Sequence, residues 1–542
     1  MTRARPPMPT ETPVLVVGAG PTGLAASIGL SRAGTPSVLI ERHPGTSIHP
    51  KARGVNVRTM EIFRQWGIDG AVRGAGLSPE ANGFFFRGSS LLAEHFERFG
   101  GGGLAADAQS FSPETWMVIS QDVLEPVMLA AAVASPSAEI RFGHELVSLE
   151  PGPDGVSAQV LDRSSGRQLG IHARCVVGAD GADSLIRSIA GVALEGQAPL
   201  VDNVSILFEA PLGDRIGDRR SAVYYLTSDA TARPRGYPMS VGNPPDDGVL
   251  LTVDNADRWL LVVADDIASL DDEAAVRRIR HAIGDDAIPV HVLGYMPWSP
   301  AARVAARYTA GRLALAGDAA HQMTPSGAFG LNVGVADAHN LAWKLGAIEA
   351  GWAGPSLVGT YDPERRPVGA FATEQSYLQF LGTRPPKPFG NWGVILGAAY
   401  VSDAVVPDGT PALELQDPAT DYVPNARPGA RAPHAWLQRD GRRISTLDLY
   451  GRGFVCLAGS AAGSCAAEAR AVAVALGIPL DAYVVGREVT PEDPAIFADA
   501  HGIGASGALL VRPDGHVAWR AAASPARGAV GIGDALRRVV GS

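Results

Sequence analysis

The chain has 542 residues, 46% hydrophobic and 19% charged, a composition typical of a folded protein with two or three domains. Its 46 basic and 56 acidic residues are spread along the sequence, so we predict no nucleic-acid partner. Residues 1–13 lack an apolar signal segment and no later run approaches about 18 consecutive apolar residues, so we expect a cytoplasmic protein without a membrane partner. The sequence has neither a CxxC pair nor a metal-ligand cluster, so we expect no metal site, and redox chemistry requires a bound cofactor.

Residues 13–42, PVLVVGAGPTGLAASIGLSRAGTPSVLIER, predict a strand, a helix and a second strand. Gly18, Gly20 and Gly23 form a G-x-G-x-x-G turn, which lets the backbone approach a pyrophosphate at the N-terminus of a helix. Glu41 ends the second strand, where its carboxylate can accept a hydrogen bond from a ribose hydroxyl. The segment therefore predicts a dinucleotide site, and at this point it leaves NAD and FAD open.

Two later segments combine a strand with a glycine and an aspartate. Residues 175–187, CVVGADGADSLIR, predict a strand followed by Asp180, and residues 311–325, GRLALAGDAAHQMTP, predict a strand followed by Asp318. With the first turn, and in this order, the two loops resemble the three fingerprints of the para-hydroxybenzoate hydroxylase-like family, the class A flavoprotein monooxygenases. The resemblance covers roughly residues 12–380. It implies FAD as cofactor, with NADPH or NADH as reductant and O₂ as co-substrate.

The stretch after Asp318 predicts how the backbone faces the flavin. By resemblance, Asp318 accepts hydrogen bonds from ribityl hydroxyls, while Pro325 and Gly330 hold a bare loop against the isoalloxazine. A helix from about Asn332 would point its N-terminus at the flavin. Backbone N–H groups of Gly330, Leu331 and Asn332 would then stabilise the anionic reduced flavin.

Three further cofactor contacts follow from the resemblance. It places Arg42 and Arg53 near the diphosphate or the flavin, with a solvated basic face as the alternative, and it implies that the Gln121 side chain reaches FAD. Family members commonly have two adjacent glycines where this chain has Ala328 as the second residue. The extra methyl is therefore expected to alter how freely the flavin moves. His321 is expected to be structural.

Residues 195–285 alternate apolar and polar positions, which predicts an antiparallel sheet. By resemblance this sheet covers the substrate, and the segment around residues 75–105 joins it. The aromatic residues of this segment are Tyr224, Tyr225, Tyr237 and Trp259. Most of them are expected to pack in the core, and two or three of them to bound a flat pocket. Tyr224 is the candidate for orienting or deprotonating a substrate hydroxyl. Arg384 is the candidate for stabilising the resulting anion, with a surface or linker salt bridge as the alternative.

The fold class predicted for the whole chain is α/β and α+β, in three domains. They are a Rossmann-like FAD-binding domain of residues 1–190 and 288–395, a substrate-binding sheet domain of residues 191–287 and a thioredoxin-like domain of residues 423–542. A linker of residues 396–422 precedes the last domain. In the last domain a hairpin turns at Asp514 and Gly515, and Cys465 occupies the place of a redox CxxC. We therefore expect this domain to be structural or oligomeric, in a monomer or a homodimer.

The favoured hypothesis is an FAD-dependent, NAD(P)H-consuming monooxygenase that hydroxylates a polycyclic aromatic substrate of polyketide type. By resemblance the reaction would proceed through a flavin C4a-hydroperoxide. Baeyer–Villiger oxidation, or oxidation of a drug-like naphthoquinone, is the alternative that the sequence leaves open. A flavin dehydrogenase or reductase, and a non-enzymatic flavin-binding partner protein, are less favoured. The segment ALLVRPDGHVAWR supports the first hypothesis because it resembles the tail of aromatic-polyketide and phenol hydroxylases.

Overall fold

The computed structural model describes residues 7–99, 104–227, 248–264, 270–384, 390–523 and 530–541. Its strands, numbered in chain order, are β1 Glu11–Val17, β2 Ser37–Glu41, β3 Gly54–Val55, β4 Phe85–Gly88, β5 Glu97–Phe99, β6 Met117–Val118, β7 Ala138–Phe142, β8 His144–Pro151, β9 Val156–Asp162, β10 Arg167–Gly178, β11 Leu194–Gln197, β12 Asn203–Glu209, β13 Val223–Leu226, β14 Gly248–Thr252, β15 Arg258–Ala264, β16 His291–Trp298, β17 Ala302–Ala305, β18 Thr309–Ala310, β19 Leu313–Leu315, β20 His321–Gln322, β21 Trp436–Arg439, β22 Arg442–Ser445, β23 Phe454–Ala458, β24 Leu480–Val484, β25 Thr490–Pro491, β26 Ala508–Val511 and β27 Val517–Ala521.

The helices of the described residues follow the same numbering. They are α1 Pro21–Arg32, α2 Val57–Trp66, α3 Asp69–Ala75, α4 Pro79–Asn82, α5 Leu104–Phe111, α6 Gln121–Val133, α7 Leu185–Ile189, α8 Asp272–Ile283, α9 Phe329–Glu349, α10 Tyr361–Phe380, α11 Trp392–Leu396, α12 Gly463–Leu476, α13 Pro494–His501 and α14 Ile532–Val540. Helix α9 begins three residues before the predicted start near Asn332. None of these helices is both long and apolar enough to cross a membrane.

The first sheet brings three loops of the chain to one edge. Its strand order is β18-β19-β10-β1-β2-β7, with β9 and β8 attached through β10. Strands β19, β10, β1, β2 and β7 pair in parallel, and their apolar residues are buried as the continuous hydrophobic runs predict. Because parallel strands end at the same edge, the turns after β1, β10 and β19 lie together there.

The second sheet combines two distant parts of the sequence. Its strand order is β16-β12-β15-β14-β13-β4-β5, so strands from residues 85–99 extend the sheet built by later strands. Helix α8 packs on one face, where Ile279 and Ile283 join a buried apolar cluster with strand residues. A second apolar cluster lies on the opposite face of the same strands. Burial on both faces explains why β12 shows no alternation of exposed residues.

The C-terminal sheet has the strand order β24-β23-β26-β27. Strands β23 and β24 pair in parallel, whereas β26 pairs antiparallel with both β23 and β27. With α12, α13 and α14 this gives the order strand, helix, strand, helix, hairpin, helix of a thioredoxin-like domain. The predicted fold class is therefore confirmed. Cys465 lies in the first turn of α12. Its thiol hydrogen-bonds to the thiol of the buried Cys456, a contact that the sequence around Cys465 did not predict.

Candidate functional site

The glycine-rich turn between β1 and α1 has one closed side and one open side. Gly18 has a φ of +101°, and a methyl group there would lie 2.2 Å from the Ala179 carbonyl oxygen. A methyl group at Gly23 would lie 1.8 Å from the Gly18 carbonyl oxygen, so glycine allows α1 to pack on the turn. At Gly20 no described protein atom lies within 4 Å of the equivalent position. The turn thus opens to space at the N-terminus of α1, where a pyrophosphate can approach the backbone.

Glu41 lies beside this turn at the end of β2. Its Oε2 accepts a hydrogen bond from the Ala19 backbone N–H at 2.8 Å, and its Oε1 accepts from the His43 backbone N–H at 2.9 Å. The two bonds hold the carboxylate at the edge of the glycine-rich turn. This is the position from which it could reach a ribose hydroxyl.

The two aspartates of the later loops have different environments. The Asp180 carboxylate accepts from Ser184 Oγ at 2.5 Å and from the Ile186 backbone N–H at 3.1 Å, so it holds its own loop against α7. Asp318 is exposed to the space beside the loops, and surrounding protein desolvates its carboxylate and raises its pKa. A methyl group at Gly330 would lie 4.0 Å from Asp318 Oδ1. Asp318 therefore remains available to a ligand, whereas Asp180 acts on protein groups.

Residues 324–332, which we call the flavin loop, have an irregular backbone before α9. Gly327 and Ala328 both have positive φ, of 81° and 52°. For Ala328 this conformation is uncommon, and its methyl group would lie 3.0 Å from a methyl at Gly54, so it packs on β3. Ser326 Oγ is buried without a partner among the described groups, and no side chain caps the first N–H groups of α9. These unsatisfied donors follow Pro325 at the place where the sequence predicts the flavin.

Asn332 fastens the flavin loop to β3. Its Oδ1 accepts from the Asn56 backbone N–H at 2.9 Å, and its Nδ2 donates to the carbonyl oxygens of Gly54 at 2.8 Å and Ala328 at 2.7 Å. The side chain is fully engaged with protein backbone. A ligand contact by Asn332 would therefore use its backbone N–H, as for Leu331.

The remaining predicted cofactor contacts occupy one side of the same region. Gln121 Nε2 donates to Glu125 Oε1 at 2.7 Å, and Gln121 also pairs with the backbone of Ala52, next to the buried Arg53. Arg42 is exposed, beyond the end of β2. Gln121 and Arg53 are thus neighbours, whereas the exposure of Arg42 fits the alternative of a solvated surface as well as a diphosphate contact.

The structure contradicts the role predicted for Tyr224. Its side chain is fully buried on the α8 face of the second sheet, where it stacks on Phe86 with ring centroids 5.7 Å apart. Its hydroxyl donates to the Arg219 carbonyl oxygen at 2.7 Å and accepts from the Ser221 backbone N–H at 3.0 Å. Burial also raises the pKa of Tyr224. With both polar functions used and its acidity reduced, Tyr224 is a core residue.

The same correction applies to Arg384 and to part of the aromatic set. Arg384 donates to Asp417 Oδ1 at 2.6 Å and to Gln375 Oε1 at 2.6 Å, which is the linker salt bridge given as its alternative. Trp259 is buried in the α8-side cluster with Tyr224, and Tyr237 lies outside the described residues. Tyr224 lies on the α8 side and Tyr225 on the opposite side of the sheet, because neighbouring residues of a strand such as β13 point to opposite faces.

The face of the second sheet opposite α8, which we call the front face, carries aromatic residues that are only partly buried. Tyr225 and Trp298 pack there with aliphatic side chains of β14 and β15. The Tyr225 ring stacks on that of Phe85 with centroids 6.1 Å apart and planes inclined by 16°. Trp298 Nε1 donates to Ser205 Oγ at 2.9 Å. Sequence reasoning did not place Phe85 and Trp298 on this face, because only strand pairing shows which face they occupy.

His321 is structural, as predicted. Its Nε2 lies 2.8 Å from Asp337 Oδ2, and neither side chain is exposed. Asp337 Oδ1 accepts from Arg365 Nε at 2.8 Å, and its Oδ2 accepts from the Gly317 backbone N–H at 3.2 Å. Ion pairing with Arg365 lowers the pKa of Asp337 despite its burial. Sequence reasoning did not identify Asp337 or Arg365, because their contacts join segments that are distant in the chain.

Comparisons with known proteins agree with this geometry. Residues 11–376 match the FAD binding domain family, and residues 425–542 match the aromatic-ring hydroxylase C-terminal family. A Streptomyces halstedii protein assigned as a polyketide hydroxylase is 42% identical, with 94% of this chain and 93% of that protein covered. The 4-methyl-5-nitrocatechol 5-monooxygenase of a Burkholderia species is 35% identical, with 98% of each chain covered.

A solved structure gives the same result in three dimensions. Aklavinone-11 hydroxylase, in a ternary complex with FAD and aklavinone, matches with a TM-score of 0.87 and 33% identity, covering 99% of this chain and 100% of that one. The residues present fit FAD, because the turn is open at Gly20, Asp318 faces open space and Ser326 Oγ lacks a partner among the described residues. The chain therefore belongs to the FAD-dependent aromatic-ring hydroxylases, and it is a flavoprotein monooxygenase.

Proposed function

We propose that this monooxygenase hydroxylates a polycyclic aromatic substrate of polyketide type, with NADPH or NADH as reductant and O₂ as oxidant. Bound FAD would supply the oxygen-transfer chemistry, by the C4a-hydroperoxide route that the family resemblance implies. The chain would supply binding, orientation and exclusion of water. Three loops at one sheet edge, with an open glycine turn, carry the FAD part of this proposal.

The cofactor contacts that we propose divide into backbone and side-chain groups. The backbone groups are Gly18, Gly20, Gly23, Pro325, Gly330, Leu331 and Asn332. The side-chain groups are Glu41, Arg42, Arg53, Gln121 and Asp318, with Asp180 holding its loop in place. N–H groups at the start of α9 would stabilise negative charge on the flavin, an effect of roughly 0.3–1 kcal/mol when exposed and up to about 2 kcal/mol when partly buried.

The front face of the second sheet carries the substrate part of the proposal. Helix α8 packs on the other face, so we assign aromatic stacking to the side that bears Tyr225 and Trp298. Flat aromatic walls favour a flat, multi-ring ligand, because stacking and burial increase with ring area. The matching structure with bound aklavinone supports this choice. The nitrocatechol monooxygenase is also 35% identical, so sequence identity alone does not distinguish a polycyclic substrate from a single-ring substrate.

The deciding experiment compares substrates side by side with the FAD-loaded protein. Phenolic tetracyclic quinones should accelerate NADPH oxidation and give a product heavier by one oxygen atom. Para-hydroxybenzoate should accelerate it little and should yield mainly hydrogen peroxide. Tight coupling with single-ring phenols, and no reaction with polycyclic compounds, would show that the polyketide proposal is wrong. A lactone product would instead support the Baeyer–Villiger alternative.

A pair of aromatic variants tests where the substrate binds. Tyr225→Leu should raise KM for a polycyclic substrate about 2- to 10-fold, since an aromatic stacking contact contributes roughly 0.5–1.5 kcal/mol. Tyr295→Leu is the matched control, because Tyr295 belongs to the same sheet but packs with the α8-side cluster. Steady-state kinetics should show an unchanged KM for the control. Equal KM values in both variants would remove the front face from the substrate site.

A further inference from the structure

Side chains of the FAD-binding region and of the C-terminal hairpin turn form one buried polar group, which we call the interdomain cluster. None of its members is more than 4% exposed. They are Asp337, Asn340 and Lys344 of α9, Glu364 and Arg365 of α10, Tyr400, and Arg512, Asp514 and His516 of the turn between β26 and β27. The sequence motif that contains Arg512 to His516 has no part in the function described above.

The first connection runs from the hairpin turn to α9 and α10. Arg512 donates from Nη1 and Nη2 to the two Glu364 carboxylate oxygens at 2.6 and 2.8 Å. Glu364 Oε2 also accepts from Lys344 Nζ at 2.7 Å and from Asn340 Nδ2 at 2.8 Å. Asp514 Oδ2 accepts from Asn340 Nδ2 at 3.0 Å. The turn therefore binds both helices through a forked ion pair and a shared amide.

The second connection reaches the FAD site itself. The His516 ring stacks on that of Tyr400 with centroids 4.0 Å apart, and the Tyr400 hydroxyl accepts from Arg365 Nη1 at 3.1 Å. Arg365 also donates to Asp337 Oδ1 and, at 3.2 Å, to the carbonyl oxygen of Val333 in the first turns of α9. Asp337 in turn accepts from the backbone N–H of Gly317. That residue precedes Asp318, the carboxylate proposed to bind FAD.

A small cavity with a mixed apolar and polar lining lies between the hairpin turn and the flavin loop. Its volume is about 40 Å³, and its lining includes Phe329 and Asn332 on one side and Asp514 and His516 on the other. Such a cavity has room for about one water molecule. Phe329 and Val333 also pack with Val394 on this side, so the hydrogen bonds of the cluster act on the flavin loop together with apolar packing.

The energetics of buried ions favour a positioning role over simple adhesion. Removing charges from water is costly, so an apolar contact of similar volume would hold two domains together equally well. A set of directional hydrogen bonds instead restricts the relative position of the elements that it joins. Here the joined elements are α9, α10 and the loop that carries Gly317 and Asp318.

We propose that Arg512 and Asp514 of the C-terminal domain are positioning residues of the FAD site. They hold α9 and the Gly317–Asp318 loop in the arrangement that binds FAD, so the domain without a CxxC motif completes the cofactor site of the other domain. The inference rests on the FAD site described above. It gives the C-terminal domain a function in cofactor binding that does not depend on redox-active cysteines or on oligomerisation.

The test compares two methionine substitutions in the full-length chain. Arg512→Met removes the buried two-bond ion pair between Arg512 and Glu364. Arg443→Met removes a half-exposed arginine of the same domain, whose Nε lies 2.9 Å from Glu492. FAD dissociation constants are measured by titration of flavin-free protein at a temperature where circular dichroism shows each variant to be folded. Arg512→Met should weaken FAD binding about 2- to 30-fold, and Arg443→Met should leave it unchanged.

Two readouts separate positioning from a general loss of stability. In flavin-free Arg512→Met, hydrogen exchange should become faster in residues 313–335. In FAD-loaded Arg512→Met, the visible spectrum of the bound flavin should shift. Arg512→Lys keeps the positive charge but cannot form the two parallel hydrogen bonds of the guanidinium, and it should restore part of the FAD affinity. A folded Arg512→Met protein with wild-type FAD affinity and spectrum would overturn the proposal.

Variants that fail to fold are also informative. If Arg512→Met does not fold, FAD binding is measured with Arg512→Lys and Asp514→Asn instead. Wild-type FAD affinity in both variants would overturn the proposal. If none of the three folds, the cluster serves folding alone and the proposal is equally overturned. Failure of the wild-type chain to bind FAD would instead contradict the FAD site, which is a different outcome.

Discussion

At the scale of single residues, three glycines of one turn have different physical reasons for being glycine. Gly18 needs a positive φ, and Gly23 needs the space that the Gly18 carbonyl oxygen occupies. Gly20 needs neither, because its backbone is extended and no described protein atom lies near a methyl group there. Its side-chain position is kept open for the ligand. The folding role and the binding role of the motif can therefore be separated by substitution.

Gly20→Ala should leave the flavin-free protein stable but should weaken FAD binding about 10- to 150-fold. A displaced pyrophosphate would lose a charge-assisted hydrogen bond, which contributes roughly 1.5–3 kcal/mol. Thermal unfolding of the flavin-free protein and FAD titration measure the two effects. Gly23→Ala is the comparison, and its clash with backbone should lower the unfolding temperature itself. A destabilised Gly20→Ala protein with normal FAD affinity would contradict this division of roles.

At the scale of elements, α9 lies unusually close to its neighbours because small residues line the contact. A methyl group at Gly334 would lie 2.3 Å from Thr22 Oγ1, and one at Gly346 would lie 2.4 Å from the Ala33 methyl. Both contacts join α9 to α1 and the residues that follow it. The same approach brings the start of α9 to the glycine-rich turn. The helix is thus placed by close packing along one side and by the interdomain cluster along another.

Gly334→Ala should therefore reduce the free energy of unfolding by roughly 1–3 kcal/mol, the usual cost of overpacking. Gly70→Ala is the control, since Gly70 lies in α3 with no described atom within 4 Å of a methyl position. Alanine should be neutral there or stabilising by up to about 1 kcal/mol. Urea unfolding of the flavin-free proteins measures both values. Equal stabilities of the two variants would show that α9 can move away from Thr22 without cost.

At the scale of the whole molecule, several buried histidines are held neutral in the folded state. Burial lowers the pKa of His339 to about 3 and the pKa values of His434, His501 and His516 to about 4. In the unfolded chain these groups have ordinary pKa values near 6.5. Between about pH 6.5 and pH 4 the unfolded state therefore binds more protons than the folded state.

The free energy of unfolding should accordingly fall as the pH is lowered through this window, by up to about 1.4 kcal/mol per pH unit for each histidine. His501→Gln should make this pH dependence less steep, because His501 is fully buried against Phe497. His291→Gln should not, because 75% of that side chain is exposed. Denaturant unfolding between pH 4 and pH 8 provides the measurement. An unchanged slope in His501→Gln would show that the ring is not held neutral by burial.

The local patterns of the sequence, with the family resemblance that they support, were sufficient to predict the architecture and the cofactor. Continuous apolar runs, glycines before helices and aspartates after strands each depend on a few neighbouring residues, and they predicted the parallel strands and a dinucleotide site. The family resemblance that these motifs carry implied FAD and the thioredoxin-like domain. The same information predicted that His321 is structural. These features are local because a strand, a turn or a helix start satisfies its own backbone within a short segment.

Only the tertiary structure decided which side chains meet. Tyr224 and Tyr225 are adjacent in the sequence, yet strand pairing sends one into the core and leaves the other on the front face. The Arg384 side chain had two interpretations until the fold brought Asp417 to it. Arg512 and Glu364 are 148 positions apart in the sequence, and no local sequence pattern predicts an ion pair between them. The physical reason is that side-chain direction and long-range contact depend on strand register and domain packing, which short-range spacing does not encode.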